Sequence, residues 1–333
     1  MSTNVSSKNS ITQRGYQEVR YLKLNDPQSQ KALWLRFSVL SSGNGFKRVA
    51  ETWAIFFQRL SNKEIRKVAI KQSHDIQAFK IDQNSNIQIG DCLLQENHTK
   101  GLVQSKGNSI QWDLSLIAGR HSPFNLVPEV LSKTGIVRHS AGTLCEELLF
   151  SGTTQINGET FQWKEAPGIL GHFQGSKSGH SWVWGQCNTF LNEQGKATPF
   201  VFEGVSVRTQ LGPIQGPKAS SFYFYYRNQD YYFNTLRDIF HIKSKNTLND
   251  WEFRADRDDL SFRGYAKAEH KDFAGLTLED TNGSLLYCSN SELADMKVLV
   301  YRRGKLESTF QAQGSAGFEV VSREKNPYVP LLI

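Results

Sequence analysis

Cysteine is scarce in this 333-residue chain: Cys92, Cys145, Cys187 and Cys288 are far apart, and none forms a C-x-x-C pair. That spacing excludes a common structural zinc site and a compact disulfide framework, so the thiols are expected to be reduced and buried. Proline occupies only 9 positions and charged residues 21%, which excludes a collagen-like or wholly disordered chain. No apolar run reaches the roughly 18 residues of a membrane span, and Met1 to Ser10 lack the apolar core of a secretory signal. The expectation is a cytoplasmic protein with no integral membrane segment and a flexible tail over residues 1–14. Charge of one sign is not concentrated either. The 39 basic and 32 acidic side chains leave +7, scattered singly, with the densest basic group at Tyr301-Arg302-Arg303-Gly304-Lys305. That group sits at a hairpin tip, so no nucleic-acid partner is expected.

Motifs of the common enzyme classes are missing as well. There is no G-x-x-x-x-G-K-[ST] phosphate loop and no G-x-S-x-G nucleophile elbow. His172, His180 and Cys187 match no zinc spacing, so neither a metal nor a cofactor is expected. Alternation of strand and helix is absent, which argues against a Rossmann or TIM architecture.

Aromatic residues are plentiful, at 12%, and fall in short alternating runs broken by turn signals, the pattern of antiparallel strands with one buried face. Asn157-Gly158 and Asn282-Gly283 each separate two such runs and suit a type I′ hairpin, because both residues tolerate positive φ. Further hairpins are expected at Lys106–Asn108, Arg227–Asp230 and Arg302–Lys305. In the segment 109–116, Ile110, Trp112, Leu114 and Leu116 share one face, as in a half-buried strand. Single helical turns are expected only at Pro128–Leu131 and Asn249–Arg254. The fold class is all-β, with enough hairpins in each half to close a barrel or sandwich. The turn-rich segment Asn192–Lys196 marks the boundary, giving domains 15–190 and 191–333.

The densest unusual segment is Gly168 to Phe190, with two histidines, two tryptophans and several glycines. If residues 180–189 form a strand, period-two geometry puts His180, Trp182, Trp184, Gln186 and Asn188 on one face, and small residues including Val183, Gly185 and Cys187 on the other. Rings and polar groups mixed in one row make a pocket wall, or alternatively two core tryptophans with polar strand ends.

The run Trp182-Val-Trp-Gly-Gln-Cys-Asn-Thr-Phe190, with Pro167-Gly168 before it, resembles the central motif of the tocopherol cyclase family and its bacterial relatives, the carotenoid 1,2-hydratases and AttH-like proteins. Looser similarity extends to Tyr16–Tyr21, Ala32–Phe37, Ala50–Phe56, the strand at Trp112 and the segment 298–314. The resemblance implies two tandem lipocalin-like antiparallel β-barrels. It also implies acid-promoted cyclisation or hydration of an isoprenoid- or polyketide-like hydrophobic small molecule in a barrel cavity, without a cofactor.

Such chemistry needs an acid, an apolar cavity and electron-rich faces for a carbocation. The candidate catalytic groups are His180, Glu51 and Glu203, with Asp113 a further carboxyl on a face opposite Trp112. Candidate substrate-binding residues are Trp53, Trp112, His172, Trp182, Trp184, Gln186, Asn188 and Tyr226. Plainer readings stand beside these: Glu51 at a solvated barrel mouth, Glu203 paired with Arg208, and the two-faced aromatic run Phe222–Tyr226 as contact between barrels. A non-catalytic carrier of a hydrophobic molecule, and an interaction module, are the alternative functions.

Overall fold

The computed structural model describes residues 14–119, 124–127, 139–176, 179–211 and 214–333, and it is built almost wholly of antiparallel strands. The first sheet contains β1 (Tyr16–Asp26), β2 (Lys31–Ser41), β3 (Arg48–Arg59), β4 (Ile65–Asp75), β5 (Phe79–Ile81), β6 (Ile87–Ile89), β7 (Cys92–Leu94), β8 (His98–Ser105), β9 (Asn108–Ala118), β10 (Phe124–Asn125), β11 (His139–Ile156) and β12 (Glu159–Gly175). The second contains β13 (Ser181–Cys187), β14 (Val201–Leu211), β15 (Ile214–Tyr226), β16 (Gln229–Phe233), β17 (Ile242–Asn246), β18 (Asp250–Arg257), β19 (Leu260–Lys267), β20 (Ala274–Glu279), β21 (Leu285–Arg302) and β22 (Lys305–Ser322).

The strands of the first sheet run β4-β3-β2-β1-β12-β11-β9-β8-β7-β6-β5, and those of the second run β16-β15-β14-β13-β22-β21-β19-β18-β17. The first curls until β4 meets β8, where the Gln104 N–H donates to Gln72 Oε1 at 3.3 Å, leaving a nearly closed barrel. The second curls likewise, and Lys218 Nζ on β15 reaches Asn246 Oδ1 on β17 at 2.7 Å. None of the described helices is long and apolar enough to cross a membrane. The motif strand β13 pairs with β14 and β22, so it belongs to the second sheet.

Turn chemistry accounts for the hairpins. Asn157 and Gly158 both take positive φ, 53° and 86°, between β11 and β12. Lys106-Gly107, Arg227-Asn228 and Arg303-Gly304 do the same at three other tips. The Asn282-Gly283 hairpin differs from expectation. Pairing ends at Glu279↔Leu285, and only Gly283 of the two turn residues has positive φ, so a longer loop replaces the two-residue turn. Asn249–Arg254 is no helical turn: β18 starts at Asp250, because Trp251 and Phe253 alternate into the second core. Pro128–Leu131 lies outside the described residues.

Both barrel interiors are packed with side chains. Ile110, Trp112, Leu114 and Phe150 help fill the first. Phe202, Phe222, Phe224, Phe253 and Phe262 stack through the second, with the Phe202 and Phe253 ring centroids 4.3 Å apart. The outer faces of the two barrels pack on each other. Ala32, Trp34, Trp53, Ile55 and Phe57 from β2 and β3 meet Leu276, Leu286, Cys288 and Val321. Beside them Phe124, Ile169, Trp184, Val201 and Tyr223 form a second apolar contact, with Phe124 and Tyr223 stacked at 5.5 Å.

Candidate functional site

Strand β13 alternates as its sequence demands. Val183 and Cys187 point into the second core, while Trp182 and Trp184 point between the barrels. There they wall a cavity of about 180 Å³ with Tyr21, Trp34, Val205 and Leu276. For scale, an engineered apolar cavity of about 150 Å³ stays dry and takes up a benzene-sized molecule. The rings are set edge to face and stacked: Tyr21 lies 6.0 Å from Trp184 at 89° and 6.5 Å from Trp34 at 27°. The expectation of a hollow inside a barrel is therefore corrected. Phenylalanine and tryptophan stacks occupy the interiors, and this cavity lies where the curved outer surfaces of the two barrels meet.

Among its apolar walls the cavity presents Glu319 and Arg36. Glu319 accepts the Trp182 indole N–H at 2.7 Å. Burial raises its pKa above the usual carboxylate range, although hydrogen bonds from Trp182 and Cys288 and the charge of Arg36 act in the opposite sense. Arg36 is half-buried, and its guanidinium lies 4.8 Å from the Trp53 ring centroid. On its far side is Glu51, which accepts from Trp53 Nε1 at 3.1 Å and Ser73 Oγ at 3.0 Å and lies 3.9 Å from Lys71. Glu51 and Trp53 line a small adjoining recess that shares Arg36 with the main cavity.

Behind Trp184 is a buried polar layer. Glu203 takes the Trp184 indole N–H at 2.9 Å and faces Glu146. Burial and then the facing Glu203 charge hold Glu146 well above the usual range. Lys23, completely buried, donates to Gln186 Oε1 at 2.9 Å. Its charge also faces Glu292, whose Oε1 accepts from Asn290 Nδ2 at 3.2 Å. Asn25 donates to the Glu292 carbonyl at 2.6 Å, and Asn188 donates to the carbonyls of Glu146 and Gly168 at 3.0 and 3.1 Å, lacing the barrels together. Three buried carboxyls, Glu146, Glu203 and Glu292, and the half-buried Glu319 thus share a layer with the buried Lys23 and the half-buried Arg36. All four are raised by burial, so retained protons offset the excess of acidic groups.

The structure gathers Trp182, Trp184 and His172 at the cavity, with Gln186 and Glu203 just behind. His172 Nε2 lies 3.2 Å from Glu18 Oε1. His180 precedes β13, gives its backbone N–H to the Arg208 carbonyl at 2.8 Å and is not part of the cavity wall. Trp112 lies in the first core, its N–H on Thr99 Oγ1 at 3.0 Å, and Tyr226 lies in the second, bonded to Glu307 at 2.8 Å. Asp113 is on the surface, 2.8 Å from His98. The expected Glu203–Arg208 pair does not form, because the two residues have opposite parity on β14 and so face opposite sides of the sheet. Phe222–Tyr226 divides as a two-faced strand should, with Phe222 and Phe224 in the core and Tyr223 against the first barrel.

Glu319, Arg36, Lys23, Glu146 and Glu292 escape sequence reasoning. Lys23, Arg36 and Glu319 alternate with core residues, as Glu319 does between Phe318 and Val320, and so have the signature of a solvated outer face, while Glu146 and Glu292 lie at register shifts that break the period-two pattern. Only the docking of one barrel on the other buries them.

These features define a double-barrel, lipocalin-like protein with an aromatic cavity between its barrels. The chain is similar in fold to a Nitrosomonas europaea protein provisionally designated AttH, with a TM-score of 0.54 and 9% identity over 94% of this chain and 93% of that one. Kievitone hydratase from Nectria haematococca aligns with a TM-score of 0.49 and 9% identity, over 92% of this chain and 88% of that one. No family model and no curated protein matches.

Proposed function

We propose that the chain is an enzyme that binds a compact hydrophobic small molecule between its barrels and protonates it from Glu319, promoting hydration or cyclisation without a cofactor. One observation carries this reading: a half-buried carboxyl, Glu319, whose pKa is raised by loss of hydration, reaches a cavity otherwise walled mainly by rings and aliphatic groups. A pure carrier has no need of such a group.

In this mechanism the Glu319 proton passes to an alkene carbon, and the electron pair of the double bond forms the new C–H bond. The cation left behind lies among Tyr21, Trp34, Trp182 and Trp184, each ring face contributing roughly 0.5–2 kcal/mol. Arg36 balances the new carboxylate. Water or an internal nucleophile then captures the cation, and the proton released returns to Glu319. The likeness of Trp182–Phe190 to the tocopherol cyclase motif supports an isoprenoid- or polyketide-like substrate. Four buried free thiols support a reducing, cytoplasmic setting.

Native mass spectrometry with solvent extraction, applied to the wild type and Glu319→Gln, tests the proposal. Glutamine keeps an oxygen for the Trp182 N–H but carries no acidic proton. Both proteins should retain a hydrophobic compound, with the variant releasing the unreacted precursor and the wild type a hydrated or isomeric product. Identical compounds from both would leave carriage as the function, and empty protein in both cases would remove the cavity reading.

A further inference from the structure

A second cavity, of about 390 Å³, opens at one end of the second barrel, on the face of β14 opposite Val205 and Val207. Its lining sets polar and cationic groups beside Trp182, Leu248, Val320 and Val321. Arg208 on β14 and Lys218 on β15 are direct cross-strand partners at this opening, and Ser181 on β13 is the other neighbour of Arg208. Like charges placed directly opposite on a sheet repel, and an anion between them would remove that repulsion. Among the described residues neither cation has a carboxylate within 4 Å. Lys218 instead donates to the neutral Asn246 at 2.7 Å. Burial, and then the charge of Arg208, hold the Lys218 ammonium below its usual pKa.

Beneath the cations is a floor of hydroxyls. Ser206 lies 2.7 Å from both Ser220 and Ser244, and Ser244 takes the Trp251 indole N–H at 2.8 Å. That layer separates the opening from the phenylalanine core below, so the opening is cationic on its Arg208 and Lys218 side and has hydroxyls at its base. A guanidinium fork and an ammonium side by side, with hydroxyl donors around them, match the geometry of a tetrahedral oxyanion.

We propose that this end of the second barrel is a binding site for a phosphate group, with Arg208 and Lys218 holding its oxygens. The site meets the aromatic cavity only at Trp182, which lines both, and does not depend on the chemistry assigned to Glu319.

Isothermal titration calorimetry of the full chain tests it, with inorganic phosphate and phenyl phosphate as probes and ionic strength held constant with sodium chloride. Wild-type protein should bind at least one probe saturably at one site, and Arg208→Gln and Lys218→Met should each weaken binding by about tenfold or more, the loss of one charge-assisted hydrogen bond. Tighter binding of phenyl phosphate would assign the site to a phosphate ester, and equal or weaker binding to free phosphate. Both substitutions lie at the solvent-facing rim, so circular dichroism should remain that of the wild type. Absence of saturable heat in the wild type, or equal affinity in the folded variants, would overturn the proposal.

Discussion

Glu292 illustrates at the scale of one residue what the seam between the barrels costs. Burial pushes its pKa up from 4.5 to about 7, even though Lys23 and the Asn290 hydrogen bond favour the charged form. Between those two values the folded chain keeps a proton that the unfolded chain has released. The contribution of this group to stability is therefore complete below pH 4.5 and is lost as pH rises from there through 7, a total of ~3 kcal/mol. Glu146, Glu203 and Glu319 act in the same direction, since burial raises each of them. Glu292→Gln should flatten the slope, which chemical denaturation of both proteins across pH ~4.5 to ~7.5 would show. Parallel pH profiles for the two would mean that Glu292 is not held protonated.

At the scale of the element, register decides what the cavity wall looks like. Pairing of β1 with β12 sets Tyr21 directly opposite Gly171, and the ring occupies the space that a Cβ at Gly171 would need. Gly171→Ala should tilt Tyr21 out of its place between Trp34 and Trp184. The expected cost is ~1–3 kcal/mol, with a change in near-ultraviolet circular dichroism and weaker retention of any hydrophobic ligand. An unchanged spectrum and unchanged stability would show that Tyr21 does not fix the wall. Gly171 belongs to the glycine-rich stretch that stands out in the sequence, and its role is close approach of a ring rather than phosphate binding.

The alternation of β13 was legible for the same reason that the hairpins were. Period two is a local property, and the large rings of Trp182 and Trp184 against the small side chains opposite declare the two faces. The acid was not legible. His180, Glu51 and Glu203 were the candidates because they neighbour aromatic residues in sequence, yet Glu319 reaches the same cavity from β22, more than a hundred residues further along the chain.

At the scale of the whole molecule, the barrels are joined by two apolar contacts and by the buried polar layer around Lys23. Separating them would expose those apolar surfaces and break the network that holds four carboxyls and two cations. Thermal unfolding should accordingly be one cooperative transition, with equal calorimetric and van't Hoff enthalpies, despite the two sheets. Two resolved transitions would mean that the polar layer contributes little to holding the barrels together.

Composition, turn residues and period-two patterning determined that this chain forms long antiparallel hairpins with aromatic cores, because each of these signals acts between residues that are neighbours along the strand or across a tight turn. They also determined which side of β13 carries the indoles. The tertiary structure decided where those indoles lead. An outer strand face looks the same in sequence whether water or a second barrel covers it, so the burial of Lys23, and the cavity that Arg36 and Glu319 border, exist only once one barrel docks on the other.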